Sequence, residues 1–284
     1  MKGIHIISTA PFFAKSPNGA YYMNKFELYT VVISALSWRR LGNEIYLAAD
    51  NKGAEYINSL GISDVWNGIE KVIPDDLEGI NPKMFWAAGK LFALREISAP
   101  VAMIDLDFVL WKMPDLPSDR IVAAHRENIT PSVYPEISSF KFKRPFNMKN
   151  MNEKVLPMNT AFLYLPEESF KQYYVNRSIA FMKSAADCDD YLCYMVFAEQ
   201  RLLSICAEEK KTGSEVLMDK DELFFPRDDY THIWGAKQVL KNDVQGLHDF
   251  CTKARKRIEK DFPDYEYVIG KIEAAFSPFN SPQG

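Results

Sequence analysis

Short apolar runs alternate with longer stretches of helical period through the first 165 positions of the chain. Residues 4–8 form a run of the length expected for a buried parallel strand. Asn24 is placed to cap a helix reaching about Leu41, with Phe26, Tyr29, Val32, Ile33 and Leu36 at helical spacings and Gly42 behind it. Residues 44–50 read as a second strand and 52–60 as a short helix closed by Gly61. Asn81-Pro82 offers a cap followed by proline at the first helical position, which predicts a helix to about Ile97. Pro100 breaks that helix, and a strand over 101–104 follows. Further strands are predicted over 121–124 and 160–165. Helices are predicted over 167–183 and 190–210 (the second broken near Ala198-Glu199), over 242–260 and over 264–276, with a fraying tail at 277–284. Repeated strand–helix alternation predicts an α/β fold: a Rossmann-like central, mainly parallel sheet flanked by helices.

Between the strands at 121–124 and 160–165 the periodicity dissolves. Residues 125–157 are polar, contain Pro and Asn, and carry Lys141, Lys143, Arg144, Lys149 and Lys154. A stretch of this length without period is either a lid or acceptor loop beside an active site, or a surface insertion.

With 284 residues and 47% hydrophobic content, the chain can build one large domain. The expected organisation is a domain over 1–240 with a helical extension, 241–284, packed on it. A net charge of −4 implies no broad basic surface, so nucleic acid is not an expected partner. Cys188, Cys193, Cys206 and Cys251 form no CxxC pair, a pattern of reduced, packed thiols. The amino-terminal apolar run is too short for a signal peptide, and no stretch approaches the ~20 apolar residues of a membrane span. The expected location is cytoplasmic.

The chemistry gathers at Asp105-Leu106-Asp107, at the end of the strand over 101–104. Two carboxylates on one face inside a sheet would be costly to bury. At the open carboxyl end of a buried strand they can meet water, a cation or a ligand, and ligands of α/β sheets bind there. Hard oxygen donors suit Mg²⁺ or Mn²⁺, with phosphate oxygens completing the shell. A solvated turn is the plain alternative. Lys90, in an otherwise apolar helix leading to this strand, is a candidate for ligand phosphates or for Asp105, or else a lysine extending to solvent. Asp50, at the end of the second strand, is a candidate acceptor for a base or ribose, or a helix cap. Asn159 and Thr160 open the strand after the aperiodic stretch and are candidates for hydrogen bonds to a ligand, or ordinary turn residues.

In order along the chain, the α/β amino-terminal half, the helix feeding Ala102-Met103-Ile104-Asp105-Leu106-Asp107, the strand Met158-Asn159-Thr160-Ala161-Phe162-Leu163, the pair Glu199-Gln200 and the segment His232-Ile233-Trp234-Gly235-Ala236-Lys237 resemble a GT-A-type glycosyltransferase. The resemblance spans about residues 1–240. It implies a GT-A-like fold and a metal-dependent transfer of a sugar from a nucleotide-sugar donor, of the UDP-sugar type, to a glycan or lipid-linked glycan acceptor. It implies Asp107, with Asp105 and His232, as ligands of Mn²⁺ or Mg²⁺, and Asp105 also beside the ribose. It further implies Lys237 on a donor phosphate, Glu199 and Gln200 as catalytic or acceptor-side groups, and Gly235 as a point of close backbone approach. Two departures are Ala161, where many relatives carry glycine, and Arg201, where they carry a second acidic residue. Two alternatives stand beside this reading. One is a glycosyltransferase-like protein that binds nucleotide or glycan without turnover. The other is a haloacid-dehalogenase-type phosphatase with Asp105 as nucleophile and Asp228-Asp229 as its later acidic pair.

Overall fold

The computed structural model describes residues 1–188, 191–219, 227–233 and 235–277. The strands are β1 (Lys2–Ile7), β2 (Glu44–Ala49), β3 (Gly68–Lys71), β4 (Val101–Ile104), β5 (Phe108–Leu110), β6 (Arg120–Arg126), β7 (Met158–Leu165), β8 (Gly213–Val216) and β9 (Tyr230–His232). The helices are α1 (Ala10–Lys15), α2 (Lys25–Arg40), α3 (Asn51–Leu60), α4 (Ala88–Glu96), α5 (Glu168–Ser184), α6 (Leu192–Val196), α7 (Leu202–Lys210), α8 (Ala236–Asn242), α9 (Val244–Asp261) and α10 (Tyr267–Ala275). Seven strands form one sheet in the order β3-β2-β1-β4-β7-β6-β8, in which β7 alone runs against the rest. The expected α/β class with a mainly parallel central sheet is the fold observed.

Alternation along the strands sends side chains into two cores. On β4, Val101 and Met103 face the layer of α4, α5 and α7, whereas Ala102 and Ile104 face α2 and the carboxyl-terminal helices. Helix α2 is buried nearly all round, as a helix between a sheet and further helices must be. Its start is fixed by a capping box in which the Asn24 N–H donates to Glu27 Oε2 at 2.8 Å. Cys251, Ala254, Ile258, Val268 and Ile272 of α9 and α10 complete this second core, so the end of the chain packs on the same body. Among the described residues no helix is long and apolar enough to cross a membrane.

The structure differs from the sequence reading in several places. The helix expected from Pro82 begins only at Ala88. Residues 82–87 form turns that bury Met84 and Phe85 and leave Trp86 at the surface. The strands β3, β5, β8 and β9 are too short to carry a period of their own and exist through their partners. The start of the helix expected at Asp190 lies outside the described residues.

One buried chain of hydrogen bonds runs across the second core. Trp66 Nε1 donates to His5 Nδ1 at 3.2 Å, His5 Nε2 lies 3.0 Å from Ser34 Oγ, and Ser34 Oγ donates to the Phe108 carbonyl at 2.6 Å. Each link is satisfied when His5 is neutral with its proton on Nε2; a second proton on Nδ1 would face the Trp66 N–H. Burial accordingly pulls the His5 pKa down to about 3. The unfolded chain, with a histidine near 6.5, then binds the extra proton first. Stability is expected to fall as pH drops from about 6.5 toward 3, by at most ~1.4 kcal/mol per pH unit for this group. Urea midpoints measured between pH 7 and 5 check this, and His5→Gln, which keeps a donor and an acceptor but does not titrate, should remove one proton from the slope.

Candidate functional site

A cavity of about 440 Å³ opens beyond the carboxyl ends of β1 and β4. From β1 the chain crosses to β2 on one side, and β4 lies on the other, so the cavity sits where the strand order reverses. Its walls include Lys90, Asp105, Asp107, Asn159, Thr160, Glu199, Gln200, His232 and Lys237. Nine side chains singled out in the sequence, from positions as far apart as 90 and 237, thus meet in one place.

Asp105 and Asp107 stand in the turn between β4 and β5. The Asp105 N–H donates to the Ala161 carbonyl at 2.7 Å, which extends the pairing with β7, and the Phe108 N–H closes the turn on the Asp105 carbonyl at 3.0 Å. Beyond the turn the chain leaves the main sheet: β5 pairs with β9, placing Phe108 opposite His232. Buried serines of α2 hold β5 from behind, Ser34 on the Phe108 carbonyl and Ser37 on that of Leu110 at 2.7 Å. The Ile233 N–H then donates to the Asp107 carbonyl at 3.1 Å. His232 and Lys237 are in this way brought to the acidic turn.

Two charge clusters result. In the first, Lys90 Nζ lies 2.6 Å from Asp105 Oδ1 and 2.7 Å from Glu199 Oε1, and Thr160 Oγ1 donates to the same Glu199 oxygen. Burial alone would lower the Lys90 pKa, but the two carboxylates outweigh it and hold the ammonium charged. Burial, with Asp107 and Glu199 nearby, pushes Asp105 upward against the pull of Lys90. Both contacts of Glu199 fall on Oε1, so Oε2 is the oxygen that remains for a ligand. In the second cluster, Lys237 Nζ lies 2.8 Å and His232 Nε2 3.8 Å from Asp107 Oδ2. Burial, first of all, lowers the His232 pKa to about 4, so its imidazole is neutral near pH 7, the form that ligates metals.

Lys90 owes its position to its neighbour. A Cβ added to Gly89 would stand 2.6 Å from Ser8 Cβ, so only glycine lets α4 approach the end of β1 this closely. Gln200 and Arg201 belong to a π-helical turn, Phe197–Arg201, between α6 and α7. Such turns re-aim side chains within a helix and recur at functional sites. Here Glu199 and Gln200 face the cavity, while the buried Arg201 points the other way, its Nη1 donating to the Pro135 carbonyl at 2.9 Å and Nη2 to that of Glu153 at 2.6 Å. Arg201, one of the two departures noted in the sequence, therefore anchors the loop at 125–157. That loop is packed through Tyr134, Ile137 and Phe140 and does not itself line the cavity; it reaches Gln200 through the Tyr134 hydroxyl, which donates to Gln200 Oε1 at 2.6 Å.

Two expectations are corrected. Asp50 does not line the cavity: it is a buried cap that accepts from the Gly53 N–H at 2.8 Å, and also from the backbone and hydroxyl of Thr9, tying β2 to the chain after β1. Asp105, Asp107 and His232 do not converge as a ligand trio, since Lys90 draws Asp105 aside, and among the described residues no three His, Cys, Asp or Glu side chains gather as metal ligands. Gly235 has a φ of −76°, and among the described residues no atom lies within 4 Å of where a Cβ would stand. Trp234 lies outside the described residues. The phosphatase alternative also finds no support in the geometry, because Asp228 pairs with Lys112 and Asp229 with Arg227, away from the cavity. The sequence reading missed the apolar wall of Tyr21, Trp86 and Leu192, and the anchoring pair Tyr134 and Arg201; Gly89-Lys90, a glycine beside a charge in an apolar helix, was the readable signal.

Fold and cavity define a mixed α/β protein with a charged pocket at the switch point of its sheet. Residues 9–272 match the family described as "Family of unknown function (DUF6734)", and the chain belongs to that family. No curated protein matches the sequence. Among solved structures the chain is similar to the galactosyltransferase LgtC, solved with donor and acceptor sugar analogs, at 10% identity over 76% of this chain and 73% of that one, with a TM-score of 0.42. It is similar to mouse xyloside xylosyltransferase 1 in its apo form, at 11% identity over 76% and 85% of the two chains, TM-score 0.40. It is also similar to the PaToxG glycosyltransferase, at 9% identity over 99% and 86%, TM-score 0.40.

Proposed function

We propose that this protein is a glycosyltransferase that takes a sugar from a nucleotide-diphosphate donor, of the UDP-sugar type, and passes it to a hydroxyl of a glycan or lipid-linked glycan. The observation that carries the reading is the division of one cavity into an end where Lys237 and the neutral His232 meet Asp107, and a buried Glu199–Lys90–Asp105 end. Lys237 is a point charge suited to a diphosphate, and its present partner Asp107 can exchange it for a phosphate-bound cation. Mg²⁺ or Mn²⁺ keeps several waters and needs only one or two protein ligands beside substrate phosphates. Asp107 and His232 fit that requirement as a pair. A cation there would neutralise charge developing on the departing nucleoside diphosphate.

The chain's own groups account for the remaining steps. The bond between the anomeric carbon and the phosphate oxygen breaks, and its electron pair leaves on the diphosphate beside Lys237. The acceptor oxygen forms the new bond to that carbon while its proton passes to a carboxylate, a role we assign to Glu199 through Oε2. Lys90 and Thr160 hold the other oxygen of Glu199 and so fix its orientation. Asn159 and Gln200 supply amides to sugar hydroxyls.

Thermal unfolding with nucleotides tests the proposal. UDP with Mn²⁺ should raise the melting temperature well above UDP with chelator, since ligand at a hundred times its Kd stabilises by about 2.7 kcal/mol. A folded sample that responds to no nucleoside diphosphate, with either metal, would defeat it.

A further inference from the structure

Three large apolar side chains are exposed together at the mouth of the cavity. Trp86 is 37% exposed, Tyr191 37% and Leu192 44%. Trp86 and Leu192 line the cavity, and the Trp86 ring meets that of Tyr191 edge to face with centroids 5.9 Å apart. Single exposed apolar residues are ordinary, but a group gathered at the rim of a charged pocket marks a binding surface. The position is set by the fold. Trp86 stands one turn before Lys90, where the chain enters α4, and Leu192 opens the helix that continues into the π-helical turn carrying Glu199 and Gln200.

We propose that the Trp86–Tyr191–Leu192 surface is the acceptor subsite and that it takes the apolar face of a pyranose ring, so the acceptor is a saccharide. The inference rests on the transferase reading and deepens it. Polarity divides the cavity: a diphosphate belongs with the Lys237 ammonium, beside Asp107 and His232, which leaves the uncharged apolar wall to the other substrate. A pyranose carries axial C–H groups on one face and hydroxyls around its edge. The face packs against an aromatic ring, which binds through area and its negative π-surface. The edge requires hydrogen-bonding groups, and the same cavity offers them in Asn159, Gln200 and Glu199. The Tyr134 hydroxyl occupies Gln200 Oε1, which fixes that amide with its N–H₂ group as the donor toward a ligand. A lipid or a plain apolar peptide would use the wall and leave these polar groups unmatched.

The test uses the full chain and free lactose, maltose and chitobiose as probes, with saturation-transfer NMR reporting which sugar protons touch the protein. Ring C–H protons of at least one disaccharide should receive saturation in the wild type. Trp86→Ala and Leu192→Ser should weaken that signal, and raise the KM for the saccharide acceptor about tenfold with UDP affinity unchanged. Trp86→Phe, which keeps an aromatic face, should restore most of the binding. Matched melting temperatures will show that the variants fold. Equal saccharide binding by wild type, Trp86→Ala and Leu192→Ser overturns the proposal. So does a wild type that binds UDP but none of the sugars, or one that transfers only to peptide hydroxyls with a KM indifferent to Trp86. Loss of nucleotide binding alone would defeat the transferase reading, while saccharide contact at Trp86 would still support a sugar site.

Discussion

Lys90→Met is expected to abolish transfer and to destabilise the fold by about 3–5 kcal/mol, the range for breaking a buried ion pair from one side. The lysine lies between Asp105 and Glu199, and its removal leaves two carboxylates facing each other within a largely buried cluster. One of them would take up a proton, so the variant should also lose stability more steeply than the wild type as pH rises above the carboxylate range. Urea unfolding at pH 5 and pH 8 measures both effects. The double variant Lys90→Met/Glu199→Gln should recover much of the stability, because the like-charge pair is gone, yet stay inactive. A single variant as stable and active as the wild type would show that the cluster is a surface ion pair of little consequence.

Asp107→Asn is expected to abolish the Mn²⁺-dependent part of nucleotide binding while leaving the fold intact. The carboxylate sits at 6% exposure with Lys237 and His232 both on Oδ2, so it is the group through which that end of the cavity is organised. Titration of UDP in the presence and absence of Mn²⁺ should show a loss of roughly a hundredfold or more with metal, since removing even a hydrogen-bonding partner of a metal ligand costs about 10–100-fold. Asp105→Asn should weaken binding less and keep its metal dependence, since Asp105 is turned toward Lys90. Lys237→Ala should weaken UDP more than it weakens the metal, and His232→Ala the reverse. Metal-dependent UDP binding that survives in Asp107→Asn would move the ion elsewhere.

The aspartate pair and Lys90 were legible because each breaks a local pattern: charges at the end of an apolar strand, and a lysine in an apolar helix. Glu199 and the His232–Lys237 segment stood out only through the resemblance to glycosyltransferases. Asp50 was ambiguous. A carboxylate at a strand end serves equally as cap or as ligand, and only the positions of Thr9 and Gly53 decide which. Arg201 shows the limit from the other side. Set in a motif it reads as a lost acidic residue; in the fold it turns away from the cavity and secures the carbonyls of a loop more than 45 positions upstream.

The sequence by itself determined the α/β class, the sheet's apolar strands, the capped start of α2 and the place of the acidic turn, because strand and helix periods and caps are written within a few residues of one another. Tertiary structure alone decided that β5 pairs with β9, that Lys90 bridges Asp105 to Glu199, and that Trp86 and Leu192 share a cavity with them. Apart from Lys90–Asp105, these contacts join residues more than 100 positions apart. Their partners are chosen by burial and by the satisfaction of charge within the assembled layers, and no local spacing encodes that choice.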